Sequence, residues 1–191
     1  WRMLRQEGPR PFLAQLLRPA EWWARAKTPV ILHDLNSDYE AWWSGRPALD
    51  RVALDREAAS WTSRPLVSVV MPVYNPSDKD FRAAVASIRA QTYGNWELCL
   101  ADDMSSAPHT LAALAELDRD PKVRLVRRTE QGGISAASNS ALAVARGEWV
   151  ALMDHDDLLE PDALHAAVRA MNVEPEADFI YTDEDKIDAA G

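Results

Sequence analysis

Leu66-Val67-Ser68-Val69-Val70-Met71-Pro72-Val73 is an apolar, β-branched run. It lacks the polar alternation of a strand with one wet face, and so predicts a strand covered on both sides. Tyr74-Asn75-Pro76 ends the run with turn-forming chemistry. Ser77 and Asp80 then form a capping-box pattern, with Asp in place of the usual Glu. This opens a helix over 77–91 whose Phe81, Val85 and Ile88 share one face.

The same alternation continues down the chain. Strands are expected at 96–101 (WELCLA), 123–127 (VRLVR), 149–153 (WVALM) and 178–182 (DFIYT). Helices are expected at 108–118, at 134–146 with Gly147 as its left-handed C-terminal residue, and after Pro161, where Leu164, Val168 and Met171 share a face. Strand and helix in turn imply an α/β fold: a mostly parallel sheet with helices on both faces. Ligands of such sheets sit beyond the carboxyl ends of the strands, so the loops there carry the functional information.

Those loops are rich in carboxylates. Tyr74-Asn75 follows the first strand, Asp102-Asp103 the second and Gln131-Gly132-Gly133 the third. Asp154-His155-Asp156-Asp157 follows the fourth and Asp183-Glu184-Asp185-Lys186 the fifth. Clustered like charges raise one another's pKa unless a cation joins them. A hard divalent ion such as Mg²⁺ or Mn²⁺, bridging carboxylates to a substrate's phosphates, resolves the conflict.

Composition narrows the alternatives. The chain has 191 residues and a net charge of −9, which argues against nucleic acid as a partner. Its single cysteine excludes a disulfide scaffold and a four-thiolate zinc site. No stretch approaches the roughly 20 apolar residues of a membrane span, and no signal-peptide core is present, so a cytoplasmic protein is expected. The first helix lacks the G-x-G-x-x-G of dinucleotide folds, and no P-loop, EF-hand or G-x-S-x-G elbow occurs. A phosphoacceptor receiver domain is a poor match, because its acidic pair belongs where this chain has Tyr74 and Asn75.

Six of the eight tryptophans lie in the first 61 residues, which are nearly neutral, while the remainder holds the acidic surplus. The expected division is a short helical, Trp-rich extension over 1–63 and a nucleotide-sugar-binding domain over 64–191. Trp22-Trp23 and Trp42-Trp43 are expected to pack against a neighbouring domain.

In order, Val67 to Asn75, Ala101-Asp102-Asp103, Gly132-Gly133 with Asn139, and Asp154-His155-Asp156-Asp157 before Pro161-Asp162-Ala163-Leu164 resemble a family 2 glycosyltransferase. Tyr181 to Lys186 resembles the bacterial members that build surface polysaccharides. The resemblance implies a Rossmann-like glycosyltransferase-A fold and an inverting transfer. A UDP- or dTDP-sugar would be the donor, a saccharide or lipid-linked molecule the acceptor, and Mg²⁺ or Mn²⁺ the cofactor.

Carried over by position, Pro72, Tyr74, Asn75, Asp102, Asp103, Gly133, Asn139 and Asp154 fall on donor-binding positions. Asp154 and Asp156 match the metal-binding D-x-D, and Asp183 and Asp185 would stand near the transferred sugar. The family's catalytic base lies well beyond the D-x-D. The expectation is therefore a donor-binding part of a transferase working in the cytoplasm or at the inner face of the membrane. Each of these residue types also has a plain structural use: Asn75-Pro76 as a turn, Asp102-Asp103 as helix caps, Gly132-Gly133 for the backbone alone.

Overall fold

The computed structural model describes the backbone of residues 2–5 and all of residues 45–182. The Trp pairs at 22–23 and 42–43, together with Asp183 and Asp185, lie outside the described residues. Among the described residues eleven elements are defined. They are β1 (Arg2–Arg5), α1 (Arg51–Ala59), β2 (Val67–Val73), α2 (Asp78–Arg89), β3 (Trp96–Asp102) and α3 (Pro108–Leu117). Then come β4 (Val123–Arg127), α4 (Gly133–Leu142), β5 (Trp149–Leu152), α5 (Ala163–Val173) and β6 (Phe179–Tyr181).

The strands form one sheet in the order β4-β3-β2-β5-β1-β6. The first four of these run parallel, as expected of strands joined by helices. Every residue of β2 and β3 is buried. The pleat divides their side chains between two cores. Val67, Val69, Met71 and Val73 pack with Leu98, Leu100, Phe81, Ile88, Leu114, Leu164 and Val168, which brings α2, α3 and α5 to one face. Val70, Cys99, Ala101 and Val150 pack with Ala137 and Ala141 of α4 on the other. Burial, and then the charge of Glu97, push the Cys99 thiol up to about 12, so it stays protonated and inert.

Local signals read from the sequence behave as local physics requires. Ser77 Oγ accepts the Asp80 amide at 3.1 Å, and its hydroxyl donates to Asp80 Oδ2 at 2.6 Å. Asp80 is too short to reach back to the Ser77 amide as a capping-box Glu does.

Three expectations need correcting. Arg2–Arg5 is not helical: it is a strand lying antiparallel between β5 and β6. Four residues are too few for periodicity to reveal, and a sheet position is fixed by its two neighbours. Among the described residues, 51–63 fall in the same compact unit as 2–5 and 64–182. Residues 45–50 fall in a separate unit. The attachment of 51–63 is specific. Glu57 accepts from Arg169 Nη2 at 2.6 Å and lies 3.3 Å from His165 Nε2, and Trp61 packs tilted against the His165 ring with centroids 4.5 Å apart.

The third correction concerns Gly147. The helix ends at Leu142, and among the described glycines only Gly133 has a positive φ. Gly147 is required instead by close approach, because a Cβ there would lie 2.6 Å from Leu66 O and 2.6 Å from Ser68 N. Its amide also donates to Ser68 Oγ at 2.8 Å, beside the buried Glu97, which accepts from that same hydroxyl and from Arg124. Gly147→Ala is expected to cost about 3 kcal/mol, the upper end of overpacking, because backbone must move. Urea denaturation checks this, and a loss below about 1 kcal/mol would refute the tight approach.

No helix among the described residues is long and apolar enough to cross a membrane.

Candidate functional site

Strands β2, β3 and β4 are laid down successively in one direction, and β5 is then added on the other side of β2. This reversal opens a crevice between the carboxyl ends of β2 and β5, the usual ligand position in such a sheet. Pro72 marks where they part. The β2–β5 pairing ends at Val70 with Leu152, closed by Met153 N–H to Val70 O at 3.1 Å. Two residues on, Pro72 has no N–H to offer to that side, so a proline is tolerated in a central strand. Beyond it Tyr74 is 46% exposed on one side of the parting, and Asp154 and Asp156 are exposed on the other.

The acidic residues divide into two kinds. Asp103 is 2% exposed, and its carboxylate is surrounded by donors. Arg128 Nε donates to Oδ1 at 2.7 Å, Gly132 N–H to Oδ1 at 2.9 Å and Gly133 N–H to Oδ2 at 2.7 Å. Asp103 thereby caps α4, whose own N-cap Gly132 has no side chain to do so. Burial pushes its carboxyl up, but the two backbone donors and Arg128 outweigh that and hold it below the ordinary carboxylate range.

Arg128 in turn donates to Ser140 Oγ at 2.6 Å and Ala136 O at 3.1 Å. A Cβ at Gly132 would meet its guanidinium at 2.6 Å, and Gly133 has φ +75°. Gly133 is therefore required by the backbone, and Gly132 by the close approach of the Arg128 and Ala136 side chains. Asp102, also buried, accepts the Ser105 amide at 2.9 Å and has Arg127 3.9 Å away.

Asn75 is engaged in a similar way. It sits at φ 46°, in the left-handed region that Asn tolerates. Its Oδ1 accepts the amides of Ser106 at 2.8 Å and Ala107 at 2.9 Å, at the start of α3.

The D-x-D turn is different. Asp154, Asp156 and Asp157 are all exposed, and Asp157 N–H closes the turn onto Asp154 O at 3.3 Å. Burial first, then the charges of Asp154 and Asp156, raise the Asp157 carboxyl. His155 turns inward, with its Nδ1 buried, lacking a hydrogen-bond partner, and 3.7 Å from Asp156 Oδ1. Among the described residues no group of three or more His, Cys, Asp or Glu is arranged to hold a metal. Asp154 and Asp156 are thus two exposed carboxylates two residues apart on one turn.

Asn139 is exposed on α4. Residues absent from the sequence reading are Arg128, Ser105 and Ser106. The one available signal was Arg127-Arg128 closing a strand in an otherwise acidic half.

Comparison with known proteins gives a consistent pattern. The sequence profile of "Glycosyl transferase family 2" matches residues 68–186. The O-antigen biosynthesis protein RfbC of Myxococcus xanthus is 36% identical over 81% of this chain, which spans 12% of that protein. Staphylococcus aureus TarS 1–349 in complex with UDP-GlcNAc superposes with a TM-score of 0.53 at 26% identity, covering 57% of this chain and 32% of that one. The mannosyltransferase PcManGT of Pyrobaculum calidifontis, in complex with GDP-Man and Mn²⁺, gives a TM-score of 0.51 at 28% identity, covering 63% and 38%. The matched part of the chain thus spans about an eighth of the length of RfbC and about a third of each of these two solved chains.

Proposed function

The chain belongs to glycosyl transferase family 2, and we propose that it is the donor-binding part of an enzyme moving a sugar from a nucleotide-diphospho-sugar to a saccharide or lipid-linked acceptor. One observation carries this reading. At the crevice where strand order reverses, an exposed aromatic ring at Tyr74 follows one strand and the exposed carboxylates of Asp154 and Asp156 follow the other. Further support comes from relatives whose names include UDP-GlcNAc, GDP-Man with Mn²⁺, and O-antigen biosynthesis.

In this reading Tyr74 offers a face on which the nucleotide base stacks, and Asn139 offers hydrogen bonds from α4. Asp154 and Asp156 hold a divalent cation, Mg²⁺ or Mn²⁺, whose hard character suits carboxylate oxygen. When bound, that ion supplies Lewis-acid stabilisation of the charge that builds on the departing diphosphate. Asp102 and Asp103 work behind this front, holding the β3 loop and the α4 terminus in place through the bonds described above.

Attack by the acceptor hydroxyl on the face opposite the diphosphate inverts the anomeric carbon, and a carboxylate takes the proton. That base lies outside the described residues, where Asp183 and Asp185 are this chain's own candidates. A nucleotide- and metal-binding module that does not turn over alone differs from this reading only in the source of the base. We place the reaction on the cytoplasmic side of the membrane, where nucleotide-sugars and lipid-linked acceptors meet.

Calorimetric titration of UDP, dTDP and GDP, each with and without Mn²⁺, tests the donor site. One of the three is expected to bind with Mn²⁺ and at least about tenfold more weakly without it, a difference of about 1.4 kcal/mol. Binding of none of them under either condition would sink the reading. Release of free nucleotide from the cognate nucleotide-sugar by this chain would favour the enzyme over the silent module.

A further inference from the structure

The geometry assigns Asn75 the role of a positioning residue: its side chain locks the loop after β2 to the loop after β3, so that Tyr74 stands preset at the crevice before any nucleotide arrives. This deepens the donor-site reading above and rests on it.

The bonds run across 30 residues or more of sequence. Asn75 N–H donates to Ser105 Oγ at 3.1 Å, and Asn75 Oδ1 accepts from both Ser106 and Ala107 N–H. One residue on, Pro76 O lies 2.9 Å from His109 Nε2 on the first turn of α3. The helix needs this outside help, because its own N-cap residue, Ala107, makes no side-chain cap bond. Ser105 is anchored in turn, its amide donating to Asp102 Oδ1.

The consequence falls on Tyr74. It is joined by one peptide bond to a residue whose φ of 46° and three short contacts leave it a single conformation. The lock uses the Asn75 carbonyl oxygen, while its Nδ2 makes only a long contact of 3.4 Å with Ser106 Oγ. An exposed ring whose main chain is held by its neighbour presents itself to a flat ligand with less backbone left to order, which is preorganisation.

This distribution of donors and acceptors makes the role testable. Asn75→Gly keeps the left-handed backbone at no steric cost and removes the acceptor. Asn75→Asp keeps the acceptor, and negative charge is welcome at a helix N-terminus. Two readouts apply: hydrogen exchange at the Ser106 and Ala107 amides, and the Kd in Mn²⁺ of whichever of UDP, dTDP and GDP the wild type binds, written here for UDP. The Gly variant is expected to speed exchange at both amides and weaken UDP about tenfold, and the Asp variant to restore both values to within about threefold of wild type.

An Asp variant with protected amides but UDP affinity as poor as the Gly variant would overturn the proposal, because Asn75 would then be touching nucleotide through Nδ2. Unchanged UDP affinity in the Gly variant would overturn it too. A wild-type chain that binds none of UDP, dTDP and GDP, with the exchange pattern as expected, would overturn the donor-site reading and this role together. That result is distinct from a failure seen only in the variants.

Discussion

Asp103→Asn is expected to lower the unfolding free energy by about 3 kcal/mol at neutral pH, the low end for removing one partner of a buried ion pair. The carboxylate is 3% exposed, and its Arg128 partner is 16% exposed. An amide in its place retains one oxygen for these donors and turns an N–H₂ towards another, leaving a buried N–H unpaired and the guanidinium uncompensated. Arg128→Met removes the same pair from the other end. Asp103→Asn with Arg128→Met should then cost less than the sum of the two, because no unpaired charge remains.

The sign of the pH dependence follows from the depressed folded pKa of Asp103. Its contribution is fully present above the unfolded value of about 3.9 and is lost as pH falls through the lower folded value. The gap between wild type and Asp103→Asn should therefore be constant from neutrality to mild acid and close below about pH 4. Urea denaturation across that range measures it. A gap below 1 kcal/mol at pH 7, or one that widens in acid, would show that the carboxylate does not hold the α4 terminus.

Asp156→Ala, in contrast, is expected to leave stability within about 0.5 kcal/mol of wild type, as for an exposed residue, while weakening Mn²⁺-dependent nucleotide binding by about 100-fold or more, roughly 2.7 kcal/mol. The reason is stoichiometric. The turn offers two carboxylates to a metal, with no third ligand group arranged around them among the described residues, so losing one removes half of what the protein supplies. Asp154→Ala should behave alike.

A second readout needs no nucleotide. The Asp157 carboxyl is raised partly by the charges of Asp154 and Asp156, so Asp156→Ala should bring its titration back towards the ordinary range, as followed by carboxyl NMR. Retention of Mn²⁺-dependent binding in both Ala variants would remove the D-x-D turn from the donor site, whatever the fate of the Asp157 titration.

These two aspartates looked alike in the sequence and differ in the fold. Asp103 and Asp156 are both members of an acidic cluster following a strand, and both fell on positions implied by the family resemblance. What separates them is burial and partners. Gly132 and Gly133 are nearly 30 residues from Asp103 and reach it only because β3 and α4 meet at one edge of the sheet. The alternative use of Asp102-Asp103 and Gly132-Gly133 as caps and turn formers is visible in the bonds they make. Asp154 and Asp156 are exposed instead.

The sequence by itself determined the elements whose physics is local. The β-branched run of β2, the Ser77 cap, the Phe81–Val85–Ile88 face and the strand VRLVR each follow from neighbours within a turn or two, and the order of loops at the carboxyl edge follows from their alternation. Tertiary structure alone decided what required partners far apart in the chain. It placed Arg2–Arg5 between β5 and β6, set Gly147 against the backbone of β2, brought Glu57 to His165 and Arg169, and turned Asn75 and Asp103 inward to serve helices that lack caps of their own. Periodicity and capping act over a few residues, whereas close approach and capping from another loop depend on which strands the sheet sets side by side.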